Sequence, residues 1–155
     1  MTQEEKELLL KDLCARLPYG TICRCRTTED STWWNTDHYI FGITGGKFDV
    51  GSDILDAEQL KPYLRPMSSM TEEEVSDLFG VMFPDNELIG YEIEKDKIRF
   101  RSTNKEKQYN PIVLFFNRIY CLEQLDWLNA HHFDFRGLIE KGLAIEAPEG
   151  MYKIE

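Results

Sequence analysis

The residues best suited to acid–base or metal chemistry lie together near the C-terminus: His131, His132 and Asp134. Adjacent histidines on a helix point about 100° apart, so they do not converge on one metal ion as a pair spaced four residues apart does. His132 falls on the apolar stripe of a predicted helix, and His131 is expected to face solvent. The spacing favours structural roles, so an enzyme that uses these three residues is the weakest of our hypotheses.

The cysteines show no spacing typical of a disulfide framework or a zinc site; they are Cys14, Cys23, Cys25 and Cys121. The first and last fall on apolar helical faces and are predicted to be inert core residues. The middle two share one face of a predicted strand, and their neighbours Arg24 and Arg26 are the one cue to a reactive thiolate. A Gly-rich phosphate loop is also missing. The sequence predicts reduced thiols, no metal, no cofactor and no enzymatic activity.

Two adjacent tryptophans are the first candidate for binding. Trp33 and Trp34 stand in a stretch from Glu29 to Asn35 that is predicted to be a polar loop. Large amphipathic rings in a loop are typical of an interface anchor. The alternative is that one ring covers the core, and we expect one of the two to be buried and the other exposed.

The charged residues are sorted into blocks. Residues 71–87 hold six acidic and no basic side chains, whereas 95–107 hold six basic and two acidic ones. Lys97, Arg99 and Arg101 share one face of a predicted strand, where they could follow a phosphate backbone. The alternative that we favour is that they pair with the acidic helix start at 72–74.

The net charge of −10 disfavours general nucleic-acid binding, because neutralising phosphates needs positive surface. An acidic protein can instead imitate nucleic acid as a decoy. The first residues are charged and lack an apolar signal core, and no apolar run approaches the roughly 20 residues that span a membrane. We expect a cytoplasmic protein without a membrane partner.

Local signals predict an α+β fold. Thr2 and Glu5 form a capping box for a helix over 3–16. Strands follow at 21–26 and 38–44, and Gly45-Gly46 predicts a tight hairpin into a strand at 47–50. We expect this small, curved antiparallel sheet to be barrel-like.

The second half begins with another capping box, Thr71 and Glu74, which predicts a central helix from 72 to about 81. Alternating residues predict a second hairpin over 88–102, and an apolar run predicts a buried strand at 112–116. A C-terminal helical pair is predicted from Cys121 and from Asp134 to Gly142, before an extended tail over 144–152. The expected organisation is one domain over 1–155, or two lobes over 1–70 and 71–155.

Four segments carry a family resemblance: LLLKDLCARLPYG (8–20), KPYLRPMSSMTEEE (61–74), DWLNAHHFDFRGLI (126–139) and APEGMY (147–152). The chain resembles a large group of small, functionally uncharacterised proteins of gut bacteria and of their phages and mobile elements. The resemblance implies a cytosolic accessory protein of a mobile element, with a shared frame and variable segments at about 21–60 and 80–120. It transfers no functional residue.

A shared frame that presents variable segments fits a binding protein better than an enzyme. We therefore expect a non-enzymatic protein that binds another protein, with Trp33 or Trp34 as the anchor. The alternative is nucleic-acid binding through the basic strip 95–107, or its inverse, the acidic decoy.

Overall fold

The structure, a computed structural model, describes residues 1–26 and 32–152. The chain is α+β, as predicted, and forms two compact units. The first unit contains Met1–Arg65, Asn129–His132 and the chain from Gly137 onward. The second contains Pro66–Leu128 and Phe133–Arg136. Part of the predicted polar loop, residues 29–31, lies outside the described ranges.

The first unit combines one long helix with short strands. Its elements are α1 (Gln3–Arg16), β1 (Ile22–Arg26), β2 (Trp33–Tyr39), β3 (Gly42–Thr44), β4 (Lys47–Asp49), β5 (Ile54–Leu55), β6 (Leu60–Leu64) and β10 (Ile145–Glu146). Within the described residues, one sheet has the order β10-β6-β1-β2 and a second has the order β3-β4-β5. The Gly45-Gly46 hairpin is confirmed, since both glycines have positive φ, 59° and 80°, between paired Thr44 and Lys47.

The predicted barrel-like closure is wrong, because the chain changes sheets inside the predicted strand 38–44. The amide of Ile40 donates to the Thr21 carbonyl at 3.2 Å, whereas the amide of Phe41 donates to the Asp49 carbonyl at 2.8 Å. Consecutive amides therefore bind the residue before β1 in one case and the last residue of β4 in the other, and these strands belong to different sheets. The result is two separate sheets instead of one closed sheet.

Helix α1 begins at its predicted capping box, in which Thr2 and Glu5 exchange hydrogen bonds with each other's backbone amides. Its buried side holds Leu9 and Leu13 together with a fully buried ion pair between Asp12 and Arg16. The pair is bidentate, with Nε–Oδ2 at 2.8 Å and Nη2–Oδ1 at 3.0 Å. Cys14, predicted to lie in the core, is exposed because this charged pair occupies part of the face turned inward.

The C-terminal segment is held by one tyrosine. Strand β10 pairs in parallel with β6, and beyond it the hydroxyl of Tyr152 donates to the Tyr63 carbonyl at 2.8 Å and accepts the Ile22 amide at 3.0 Å. The ring of Tyr152 stacks on His132, with centroids 3.6 Å apart and planes 11° apart. His132 has a left-handed φ of 60°, and its carbonyl accepts the Arg65 amide at 2.8 Å. Tyr152 thus joins β1, β6 and His132.

The second unit packs helices on one face of an antiparallel sheet. Its elements are α2 (Glu72–Met82), β7 (Glu87–Ile93), β8 (Lys97–Thr103), β9 (Tyr109–Phe115) and most of α3 (Leu122–Ala130), and its sheet has the order β7-β8-β9. The capping box at Thr71 and Glu74 is confirmed. Val75, Leu78 and Phe79 pack against Ile98 and Phe100 in one core.

Two details of the second half differ from the prediction. Strand β9 is an edge strand with alternating burial, not a buried one, since β8 alone lies between two neighbours. Leu122, an apolar residue at the start of the helix predicted from Cys121, is 74% exposed, and the buried Gln124 closes the helix start by accepting the Tyr120 amide at 2.6 Å. Local apolar spacing does not reveal which strand lies at the edge or which turn of a helix meets the core.

The second member of the predicted C-terminal helical pair is absent: residues 134–142 form turns. Gly137 interrupts the segment with a φ of 71°, and Gly142 repeats that conformation five residues later. A left-handed residue ends a helix, so the chain between the two glycines is too short to propagate one.

We expect Arg16→Met to lower the free energy of unfolding by about 3–5 kcal/mol, because the Asp12 carboxylate then stays buried without its guanidinium. Urea unfolding monitored by circular dichroism measures this loss. The double variant Asp12→Leu/Arg16→Met removes both charges and should lose less than Arg16→Met alone. If the double variant were less stable than Arg16→Met, this account would be contradicted.

We also expect stability to fall below pH 6.5. Burial, followed by the nearby charges of Arg16, His131 and Arg65, lowers the pKa of His132 from 6.5 to about 4. Between these values the unfolded chain binds a proton that the folded chain excludes, so acidification costs on the order of 3 kcal/mol. Urea unfolding at pH 7.5 and 4.5 measures this loss, and His132→Gln should show a smaller one because Gln does not titrate. Equal losses in both proteins would contradict the assignment.

Candidate functional site

The solvent-facing side of the sheet β7-β8-β9 is the first candidate surface. Side chains alternate along β8, so Ile98, Phe100 and Ser102 are buried in the unit while Lys97, Arg99 and Arg101 point the other way. The register places Phe115, Val113 and Pro111 of β9 directly beside those three basic residues, in that order. We call this set, together with Tyr109 next to Thr103, the open face.

Most cations of the basic strip pair with local carboxylates. Glu94 accepts Arg99 Nε at 2.9 Å and Lys97 Nζ at 3.3 Å, and these hydrogen bonds, the Arg99 bond first, lower the pKa of Glu94. Lys105 pairs with Asp85 at 2.9 Å and Lys107 with Glu87 at 3.1 Å. The favoured alternative, pairing with the helix start at 72–74, is wrong, since each of these partners belongs to the loop before β7, to β7 itself or to the turn after it.

Arg101 differs from Lys97 and Arg99, its neighbours on the same face of β8. Among the described residues, no carboxylate lies within ion-pair distance of its guanidinium. It lies over Gly90, its cross-strand partner at a bulge of β7. A Cβ at Gly90 would lie 2.5 Å from Nη2 of Arg101. The missing side chain at Gly90 therefore gives the guanidinium its place on the open face.

Apolar and aromatic groups of β9 share the open face with this charge. Tyr109 is 63% exposed and Val113 39% exposed. The ring of Phe115 lies under two cations, Lys97 Nζ at 5.7 Å and Arg118 Cζ at 5.1 Å from its centroid. The open face thus combines a positive centre with an aromatic and aliphatic border.

The two tryptophans lie in strand β2 and not in a loop. Both are half-buried, so the expected division into one buried and one exposed ring is wrong. Trp34 packs against the core of the first unit and contacts the His38 ring edge-on, with ring centroids 5.2 Å apart. Trp33 points to the opposite face, beside Arg26. Adjacent residues of a strand point to opposite faces of the sheet, and each tryptophan is partly covered by the neighbours on its own face.

The residues singled out for catalysis do not form a site. His132 is buried against Tyr152, and among the described residues no group of three His, Cys, Asp or Glu side chains is placed to hold a metal ion. Cys23 and Cys25 are buried, which raises the pKa of both thiols, that of Cys25 to about 12. Arg24 and Arg26 point to the other face of β1, so they do not stabilise a thiolate.

A shallow pocket of about 230 Å³ lies between the start of α1 and the turn before β6, and it is lined by Gln3, Lys6, Glu7, Leu10, Gly46, Asp56, Ala57 and Glu58. Its charged groups pair with one another or with close neighbours: Lys6 binds Glu58 at 2.7 Å, and Asp56 binds Lys47 at 3.6 Å. The lining offers no thiol or imidazole for nucleophilic or metal chemistry.

Comparisons with known proteins match no family model, no curated protein and no solved structure. The resemblance to mobile-element proteins therefore stays a prediction. Within the described ranges, each helix is too short or too polar to cross a bilayer.

Sequence reasoning identified the three basic residues of β8 but missed what accompanies them. Tyr109 and Val113 belong to the open face because of their register with Thr103 and Arg99 of β8, and Gly90 matters only through its cross-strand register with Arg101. It also missed Lys61, which lies near Trp33 although 28 positions separate them. The available signal for both surfaces was the pattern of basic residues at every second position along β1 and β8.

We expect Trp34→Ala to cost more stability than Trp33→Ala, about 2–3 kcal/mol against about 1 kcal/mol, because Trp34 packs on the core. Urea unfolding of both single variants gives the comparison. If Trp33→Ala proved the more damaging, Trp33 would be the core residue and the assignment of faces would be reversed.

Proposed function

We propose that the protein is a non-enzymatic binding protein whose partner is another protein that docks on the open face. One observation carries the proposal: Arg101, which has no carboxylate partner among the described residues, lies between the exposed groups of β9 and the Gly90 gap. The proposal moves the predicted anchor from the tryptophans to this surface.

The composition of the face favours a protein partner. Arginine and tyrosine are enriched among the residues that dominate binding energy at protein interfaces. The solvent-facing side of an antiparallel sheet is ordinarily polar, yet here Tyr109, Val113 and Phe115 run along a whole strand. An exposed row of this kind, beside a guanidinium, suits a contact that buries apolar area and satisfies one charge.

The charge of the face favours a partner that brings a carboxylate. An arginine side chain presents a planar fork of donors that matches a carboxylate in bidentate fashion. Four of the six cations in the strip 95–107 are already paired with carboxylates, which leaves little net positive charge for a phosphate backbone. Nucleic acid is therefore the less favoured partner for this face.

The biological setting is part of the proposal. The resemblance described above supports an accessory role in a phage or another mobile element, inside the host cytoplasm. The partner is then a host or phage protein with an acidic and partly apolar contact surface.

We expect Arg101→Glu to abolish capture of the partner from nuclease-treated host lysate, because it places a negative charge opposite the partner's carboxylate. The matched control is Lys105→Glu, which makes the same charge change at a side chain 72% exposed and outside the open face. Quantitative mass spectrometry of the captured proteins compares the two variants with the unchanged chain. A protein retained by Lys105→Glu and lost by Arg101→Glu supports the proposal.

Gly90→Ala gives a second, uncharged test. The added methyl must displace the Arg101 guanidinium, a flexible group, so the fold should be retained while capture falls. Thermal unfolding checks that both variants are folded. Capture that is unaffected in Arg101→Glu and in Gly90→Ala would rule out the open face. Capture that occurs in untreated lysate but is lost after nuclease treatment would replace the protein partner with nucleic acid.

A further inference from the structure

A second charged surface lies on the first unit, on the outer face of the sheet β10-β6-β1-β2. Strand β1 turns Cys23 and Cys25 inward, so Arg24 and Arg26 point outward. The register places Lys61 and Asp37 on either side of Arg24, and Trp33 directly beside Arg26. Cross-strand partners share a face, so all five side chains emerge on this side. We call Trp33, Arg26 and Lys61 the Trp33 cluster.

The two cations of the Trp33 cluster have no ion-pair partner within residues 1–26 and 32–152. Asp37 is engaged by Arg24, whose Nε lies 3.3 Å from its Oδ1, and by the hydroxyl of Tyr63 at 2.9 Å. The carboxylate of Glu58 is held by Lys6 at 2.7 Å. Among the described residues, Arg26 and Lys61 form no ion pair, and Arg26 donates only to the Glu58 carbonyl oxygen, at 3.3 Å. In the part of the chain that the structure describes, these two cations thus have no ion-pair partner of their own.

An aromatic ring fixes both cations. Arg26 Cζ lies 4.9 Å and Lys61 Nζ 5.1 Å from the centroid of the Trp33 ring, within the range of cation–π attraction. Trp33 itself stays half-exposed. The two cations are therefore held close to an indole that is still partly accessible. A ligand that binds here can contact the positive charges and the aromatic ring at the same time.

We propose that the Trp33 cluster binds single-stranded nucleic acid, with backbone phosphates at Arg26 and Lys61 and a base against the indole of Trp33. Proteins that bind single strands combine cations that follow the backbone with aromatic rings on which bases stack. This site is separate from the open face in residues and in ligand. It goes beyond the proposed function and does not depend on it.

The arrangement fits a single strand better than other polyanions. A duplex keeps its bases stacked inside, so the indole would gain nothing from it. An acidic peptide would neutralise the two cations but leave the ring unused. With only two cations, the electrostatic contribution is small, and the net charge of −10 opposes it, so binding is expected to be strongest at low salt.

The test is fluorescence anisotropy of a short, labelled oligothymidylate with the whole protein, titrated between about 20 and 200 mM salt. Two phosphate contacts to a single strand predict a slope of about −1.4 in log K against log salt, and Lys61→Gln should reduce it to about −0.7. Trp33→Leu should weaken binding about tenfold through loss of stacking, whereas Trp33→Phe should retain it. Lys47→Gln, which changes the same charge on the other sheet of the unit, is the matched control.

Thermal unfolding of every variant separates loss of the site from loss of the fold, and Lys61→Gln keeps the test valid if Trp33→Leu does not fold. No binding at the lowest salt, or equal slopes for Lys61→Gln and the unchanged chain, would overturn the proposal. Displacement of the oligonucleotide by an equimolar polyglutamate peptide would also overturn it, in favour of an acidic peptide. Arg101→Glu, on the open face, should leave oligonucleotide binding unchanged.

Discussion

The alternation of side chains along β1 and β8 is the constraint on which both candidate surfaces depend. Each strand has one face sealed by a core, which holds Cys23 and Cys25 in one unit and Ile98 and Phe100 in the other. Because successive residues point to opposite faces, the intervening arginines are forced outward in a row. A shift of either strand by one residue would bury those charges, so the cores fix the register and the register creates the surfaces.

The buried polar groups of the first unit play a different role from its apolar core. The Asp12 and Arg16 side chains hydrogen-bond each other, and the Tyr152 hydroxyl accepts the Ile22 amide and donates to the Tyr63 carbonyl, backbone groups that a hydrocarbon side chain would leave without this partner. Groups of this kind add specificity more than stability, because their desolvation offsets much of their attraction. They fix where the helix and the C-terminal segment lie within that unit.

The two candidate surfaces both present cations to solvent, but different residues surround those cations. On the open face, Arg101 lies in a gap left by Gly90 and is bordered by apolar side chains of an edge strand. In the Trp33 cluster, Arg26 and Lys61 lie against an aromatic ring. An arginine bordered by apolar area suits a carboxylate in a desolvated contact, whereas cations around a half-exposed indole suit a phosphate with a base attached.

The sequence by itself determined the elements whose signals are local. Both capping boxes, the Gly45-Gly46 hairpin and the strand alternation follow from interactions within four residues, so α1, α2 and the basic row of β8 could be placed in advance. Tertiary structure decided what depends on distant partners: the separation of the two sheets, the edge position of β9, and the meeting of Trp33 with Lys61. These contacts join residues whose pairing no local pattern specifies, because many strand orders bury a similar apolar area and only the packed chain selects one.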